Sequence, residues 1–187
     1  MKKFIFTFVL VLAALSASAQ YRVDRLVTAG RSALFYEDFV LSIKYFNLAI
    51  GAKPYLYEPW YYRSVAKFNL DDYMGAESDA SEAINLNPYI NDIYDLRAIC
   101  RIRQQRYDDA IADYNSAIRL EPRNRNYWFN RALCQMEAKN YDKAQLELDT
   151  VITKWKDYSN AYSLKAEVYL HQKDTVQAEK WLDQSLK

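Results

Sequence analysis

The chain is poor in the residues that flexible loops, metal sites and phosphate sites need. Its 187 residues include three glycines, four prolines, two cysteines and one histidine. So few scattered glycines leave no phosphate-cradling loop, and neither Gly-x-Ser-x-Gly nor His-Glu-x-x-His occurs. One histidine, His171, and two distant cysteines do not make a ligand set. No catalytic residues, metal or cofactor are implied. Charge of one sign is also missing: 25 basic residues stand against 24 acidic ones, a formal +1. The basic surplus of nucleic-acid binders is absent. Beyond the first residues no apolar run approaches the roughly 20 that span a bilayer, so the mature chain is not expected to insert.

Apolar and aromatic side chains are abundant: 51% of residues are apolar and 16% aromatic, 17 of them tyrosine. That excludes a disordered tail. Residues 1–19 are a different material. Lys2 and Lys3 precede an apolar run from Phe4 to Leu15, and Ala17-Ser18-Ala19 offers a cleavage site before Gln20. The pattern predicts a secretory signal peptide cut after Ala19, and hence a periplasmic or secreted address. Without Lys2 and Lys3 the mature chain carries 23 bases against 24 acids.

The remainder is organised around Asn91–Pro122. Tyr94, Ala98 and Ile102 step at helical spacing, and a polar break, Gln104-Gln105-Arg106, follows. Tyr107, Ala110, Ile111, Tyr114, Ala117 and Ile118 then step again up to Pro122, which cannot donate a helical bond. Shifted by 34 residues, the unit recurs without a gap. Leu26, Trp60, Tyr94, Trp128 and Tyr162 share one column, and Gly30, Ser64, Ala98, Ala132 and Ala166 share a column of small residues. Phe39, Tyr73, Tyr107 and Tyr141 follow the break, and Thr175 departs from that pattern. Ser42, Ala76, Ala110, Ala144 and Ala178 form a second small column. Pro54, Pro88 and Pro122 close three units, with Lys156 in the fourth. Small residues belong where two helix backbones approach, and aromatics fill the wedge between pairs. Helices of 12–14 residues are marginal alone, so each pair must stack on the next.

These columns resemble the tetratricopeptide repeat, a 34-residue helix–turn–helix unit. The resemblance runs from about Val23 to Lys187 and implies an all-α, right-handed α-solenoid of about five repeats. They fall near 23–54, 57–88, 91–122, 125–156 and 159–187, within a domain 20–187. No polar capping helix follows the fifth repeat. The expectation is therefore a longer natural chain or a partner over the last hairpin.

The resemblance also implies a concave face of first helices, with variable places that contact a partner. Those places include Arg31, Phe35, Glu58, Tyr61, Phe68, Asp92, Asp95, Arg103, Asn126, Phe129, Met136 and His171. Val65, Ile99 and Leu133 are assigned to packing between first helices instead. The family's lysine-rich clamp for a terminal carboxylate has no counterpart: Tyr61, Asp95 and Phe129 stand where its bases belong. A protein or peptide partner is the leading expectation, with a scaffold role in an envelope assembly or secretion complex. Glycan binding is the alternative, because Tyr55, Tyr57, Trp60, Tyr61 and Tyr62 cluster. The oligomeric state is left open.

One charge pattern stands apart. Arg63, Arg97 and Arg131 occupy one column, and Asp79, Asp113 and Glu147 stand sixteen residues after each. The first repeat has Ala29 and Tyr45 in these places, and the fifth has Lys165 and Trp181. Acid and arginine come together, which predicts structural ion pairs within hairpins. Anion-binding arginines are the competing reading. Cys100 and Cys134 fall in adjacent repeats, where helix axes about 8–10 Å apart are too far for a disulfide, so two buried thiols are expected.

Overall fold

A computed structural model describes residues 22–186. The signal-peptide expectation for residues 1–19 lies outside them. Among the described residues there are ten helices and no strand. They are α1 (22–35), α2 (Phe39–Ala52), α3 (Tyr57–Asn69), α4 (Tyr73–Leu86), α5 (Asn91–Arg103), α6 (Tyr107–Leu120), α7 (Arg125–Glu137), α8 (Tyr141–Lys154), α9 (Ser159–His171) and α10 (Thr175–Ser185). None is long and apolar enough to cross a membrane. The chain divides into two compact units, Met1–Pro88 and Tyr89–Lys187. The first holds the hairpins α1–α2 and α3–α4. The second holds α5–α6, α7–α8 and α9–α10. Within each unit successive helices pack side by side, and in the second α7 also touches α9.

Each hairpin closes where small residues meet. The Ser42 hydroxyl donates to Gly30 O at 3.0 Å, and Ser64 donates to Ala76 O at 2.7 Å. Ala98, Ala110, Ala132, Ala144 and Ala166 are wholly buried in the same columns. Gly30 has no room for more: a Cβ there would stand 2.6 Å from the Phe46 ring.

All five turns share one geometry that sequence reading missed. Glu37, Asp71, Gln105, Lys139 and Lys173, spaced by 34, have φ between 59° and 64°. None is glycine, and a side chain in the left-handed region costs roughly 1–2 kcal/mol. Backbone bonds hold it there. Asp38 N donates to Ala33 O at 2.9 Å and Glu37 N to Leu34 O at 3.1 Å. Asp72, Arg106, Asn140 and Asp174 repeat the longer bond. This arrangement satisfies the last carbonyls of each first helix. Asp38, Asp72 and Asp174 then cap the second helices, accepting from Leu41 N, Gly75 N and Gln177 N at 2.9–3.1 Å.

The first aromatic column does more than fill a wedge. Trp60 Nε1 donates to Pro54 O at 2.8 Å, Trp128 Nε1 to Pro122 O at 3.1 Å and the Tyr162 hydroxyl to Lys156 O at 3.0 Å. The ring packs while its polar tip ties down the carbonyl at which the preceding helix pair ends. Cys100 and Cys134 are both buried thiols. Burial pushes the Cys134 thiol up to about 12, which keeps it protonated and unreactive.

Candidate binding face

The arginine column faces inward, onto carboxylates. Arg63 Nε and Nη2 donate to the two oxygens of Asp79, both at 2.7 Å, while Lys67 Nζ lies 2.8 Å from Asp79 Oδ2. Arg97 Nη2 donates to Asp113 Oδ1 at 2.6 Å, and Arg101 Nη1 reaches Asp113 Oδ2 at 2.7 Å. Arg131 Nε donates to Glu147 Oε2 at 3.1 Å. Desolvation pushes Asp113 and Glu147 upward against the pull of these arginines. Spare donors go backward in the chain: Arg63 Nη1 to Asn47 Oδ1 and Arg131 Nη1 to Asn115 Oδ1, each 2.6 Å and sixteen residues earlier. The same backward offset explains Lys165, which has no acid sixteen residues later. It pairs with Asp149, sixteen residues before it, and its ammonium lies 3.9 Å from the Trp181 ring centre. Sequence reading looked only forward and missed this partner. Guanidiniums also cover aromatic rings, Arg63 over Trp60 at 4.8 Å and Arg131 over Trp128 at 5.0 Å. These cations are consumed within the fold, so the column offers no anion site.

The proposed partner-contact residues divide by unit. In the first, Arg31 and Phe35 line an open groove of about 580 Å³ with Thr28, Ser32, Leu34 and Tyr62. Arg31 sits over the Tyr62 ring at 5.1 Å, and Phe35 is 81% exposed. Tyr61 touches Tyr62 with ring centres 5.1 Å apart. Phe68, at the far end of α3, tilts against Tyr73. Glu58 is exposed in the first turn of α3. The rings of the tyrosine-rich stretch are partly covered from within: Trp60 by Arg63, and Tyr62 by Phe46 and Arg31.

In the second unit the corresponding places are engaged with neighbouring hairpins. Asp92 Oδ1 accepts from the Tyr127 hydroxyl at 3.3 Å, and Asn91 Nδ2 donates to that hydroxyl at 2.8 Å. Asn126 Oδ1 accepts from the Tyr158 hydroxyl at 3.2 Å. Phe129 meets the Tyr158 ring edge-on at 5.4 Å. His171 is exposed but stacks on Tyr141 at 5.8 Å. Arg103 is exposed at the end of α5. Asp95 is half-buried beside Tyr114. Its Oδ1 and the Tyr114 hydroxyl are covered, yet neither reaches hydrogen-bond geometry with a partner. Desolvation raises the Asp95 pKa, the neighbouring Tyr114 hydroxyl draws it partly back, and Asp92 adds a smaller upward push.

Met136 requires a correction. It was expected on the binding face and is only 3% exposed. It packs with Ala144, Leu148, Leu164 and Val168 in the core of the second unit. Its place faces the next first helix, where an apolar side chain is drawn out of water.

Comparison with known proteins agrees with this geometry. The tetratricopeptide repeat family matches residues 96–148 and 135–187. No curated protein matches the sequence. The structure of MamA from Desulfovibrio magneticus RS-1, residues 41 to the end, superposes with a TM-score of 0.82 at 12% identity, covering 88% of this chain and 93% of that one. YrrB, described as a TPR protein with an unusual peptide-binding site, gives 0.78 at 12% identity over 86% and 83%. The first TPR of Spaghetti (RPAP3), bound to the HSP90 peptide SRMEEVD, gives 0.62 at 24% identity over 64% and 94%. Identities this low establish the fold and no more. Residues 96–187 thus match the tetratricopeptide repeat family by sequence, and the chain has the fold of tetratricopeptide repeat proteins.

Proposed function

We propose that this chain is a binding scaffold rather than a catalyst, and that it holds a peptide segment of a protein partner in the groove of α1 and α3. The observation that carries this reading is the groove of Arg31, Leu34, Phe35 and Tyr62. It joins an exposed phenyl ring and an aliphatic side chain to a guanidinium, and among the described residues Arg31 has no carboxylate partner. An apolar side chain with a carboxylate beside it suits that combination. The peptide-binding site described for YrrB and the HSP90 peptide bound to RPAP3 support a peptide ligand as a class. The signal-like residues 1–19 point to action outside the cytoplasm, in an envelope assembly or secretion complex. Edman sequencing of the exported protein starting at Gln20 would bear that address out, and retention of Met1 would refute it.

Covered ring faces at Trp60 and Tyr62 disfavour sugar stacking at those two rings, whereas Tyr55 is exposed. The test is a peptide library displayed on phage and selected on the full chain. Selected peptides titrated by calorimetry should bind Phe35→Ala and Arg31→Glu at least tenfold more weakly. Unchanged affinity for both variants overturns the assignment of this groove.

A further inference from the structure

The turn edge of the first unit differs in kind from that of the second. Because α1 and α3 run the same way, the turns α1–α2 and α3–α4 lie at one edge of the first unit. Residues 35–41, FYEDFVL, and 69–75, NLDDYMG, each carry two acids and no base. The matching segments of the second unit are 103–109, RQQRYDD, 137–143, EAKNYDK, and 171–177, HQKDTVQ. Each of these balances acid with base, His171 being counted neutral. Apolar exposure follows the same division. Tyr36, Val40, Leu41, Leu70 and Met74 are exposed at the first unit's turns, Tyr36 and Met74 at about three-quarters of their surface. Val176 is the one exposed large apolar residue in the three segments of the second unit.

Glu37, Asp38, Asp71 and Asp72 make no salt bridge among the described residues. Asp38 and Asp72 cap helices through backbone N–H groups, which leaves their negative charge unneutralised. Helix packing requires neither the apolar side chains nor the charge excess, because the second unit builds the same turn without them. An apolar patch of this kind marks an interaction surface, and its rim charge selects the partner.

We propose that this edge is a second docking surface, bordering the groove where the Phe35 ring meets Tyr36 at 5.3 Å, for an amphipathic basic segment of a protein partner. Its apolar face would cover Tyr36, Val40, Leu70 and Met74, and its lysines or arginines would meet the four carboxylates. An anionic bilayer is repelled by the same charges, and a second copy would bring like charge against like.

The repeats supply substitutions the fold already accepts. Lys139 and Lys173 stand in the column of Glu37 and Asp71, and Asp108 and Asp142 in the column of Val40 and Met74. The variant Glu37→Lys, Val40→Asp, Asp71→Lys, Met74→Asp therefore moves the first unit toward the chemistry of the second, halving the negative charge of each segment and removing an exposed apolar side chain from each. The probe is a fluorescein-labelled 18-residue leucine–lysine amphipathic helix, followed by anisotropy on the full chain. Its controls are a sequence-scrambled peptide of equal charge and a leucine–glutamate counterpart. The expected result is that wild type binds the probe at least tenfold more tightly than either control. The fourfold variant should lose at least tenfold with an unchanged melting curve, and Val40→Asp with Met74→Asp about threefold or more. Undiminished binding by the fourfold variant overturns the proposal, as does equal binding of the scrambled peptide. A wild-type dimer in sedimentation that the fourfold variant dissociates also overturns it, assigning the edge to a second copy.

Discussion

The two units share their interior and differ in what they show to solvent. Small residues at the helix crossings, arginine–carboxylate pairs and a left-handed residue at every turn occur in both. The first unit keeps Arg31 and Phe35 in an open groove, whereas the second hydrogen-bonds the exposed Asp92 and Asn126, and packs Phe129, onto neighbouring hairpins. The difference teaches that one column can serve binding in one hairpin and cohesion in the next. Family position alone does not tell these roles apart. What decides is how far the neighbouring hairpin covers the side chain: Arg31 lies over Tyr62 and Phe35 stays exposed, whereas Phe129 is half-buried against Tyr158.

The strongest way to break the shared-interior claim is to remove a paired carboxylate from each unit. Asp79→Ala strands Arg63 and Lys67, and Asp113→Ala strands Arg97 and Arg101. Each should cost about 3 kcal/mol in urea unfolding, because partly buried cations lose their counter-charge. A loss in only one variant would mean the two pairs are not equivalent.

Next in size is the contrast between Phe35 and Phe129. Phe129→Ala should lower stability by roughly 2 kcal/mol through lost packing on Tyr158, with little change in peptide affinity. Phe35→Ala should do the reverse, since its ring is exposed. Thermal melts beside peptide titrations separate the two. Equal behaviour would erase the distinction drawn between the units.

Asp95 sharpens the comparison through pH, because the first unit has Tyr61 in its place. Burial raises its pKa above the unfolded value of about 3.9. A raised acid holds its proton more tightly in the folded chain, so the charged form costs stability above the folded pKa. That cost fades as pH falls toward the unfolded value. Asp95→Asn should therefore be stabilising at pH 7, and the gain should shrink on approach to pH 4. A gain that does not change with pH would assign the effect to something other than ionisation.

The smallest expected effect concerns the turns, where the units should agree. Glu37→Gly in the first and Gln105→Gly in the second relieve a left-handed backbone. Each should add about 0.5 kcal/mol, the relief being partly offset by glycine's greater freedom in the unfolded chain. A destabilised variant in either unit would show that the side chain contributes more to its turn than its backbone conformation costs.

The 34-residue spacing made the helix pairs and their small-residue crossings legible, because close approach of two backbones excludes all but the smallest side chains. The arginine column was legible for a similar reason: acid and base recur at a constant offset. The turn column was hidden. Glu, Asp, Gln, Lys and Lys share no chemistry, and the backbone alone sets their conformation. The partner of Lys165 was hidden because its carboxylate, Asp149, belongs to the preceding hairpin. Met136 was misplaced because its place in the repeat assigned it to the binding face, and place alone does not say whether a side chain meets a ligand or the next helix.

Residue order alone was enough to settle the period, the helices and the hairpins, since those follow from local sterics repeated at constant spacing. Packing decided the rest: which groove residues stay open, which charges are spent on neighbours and which edge is left apolar and acidic. Those outcomes depend on contacts between hairpins, such as Arg63 with Asn47, Lys165 with Asp149 and Phe129 with Tyr158, which close only when the hairpins stack.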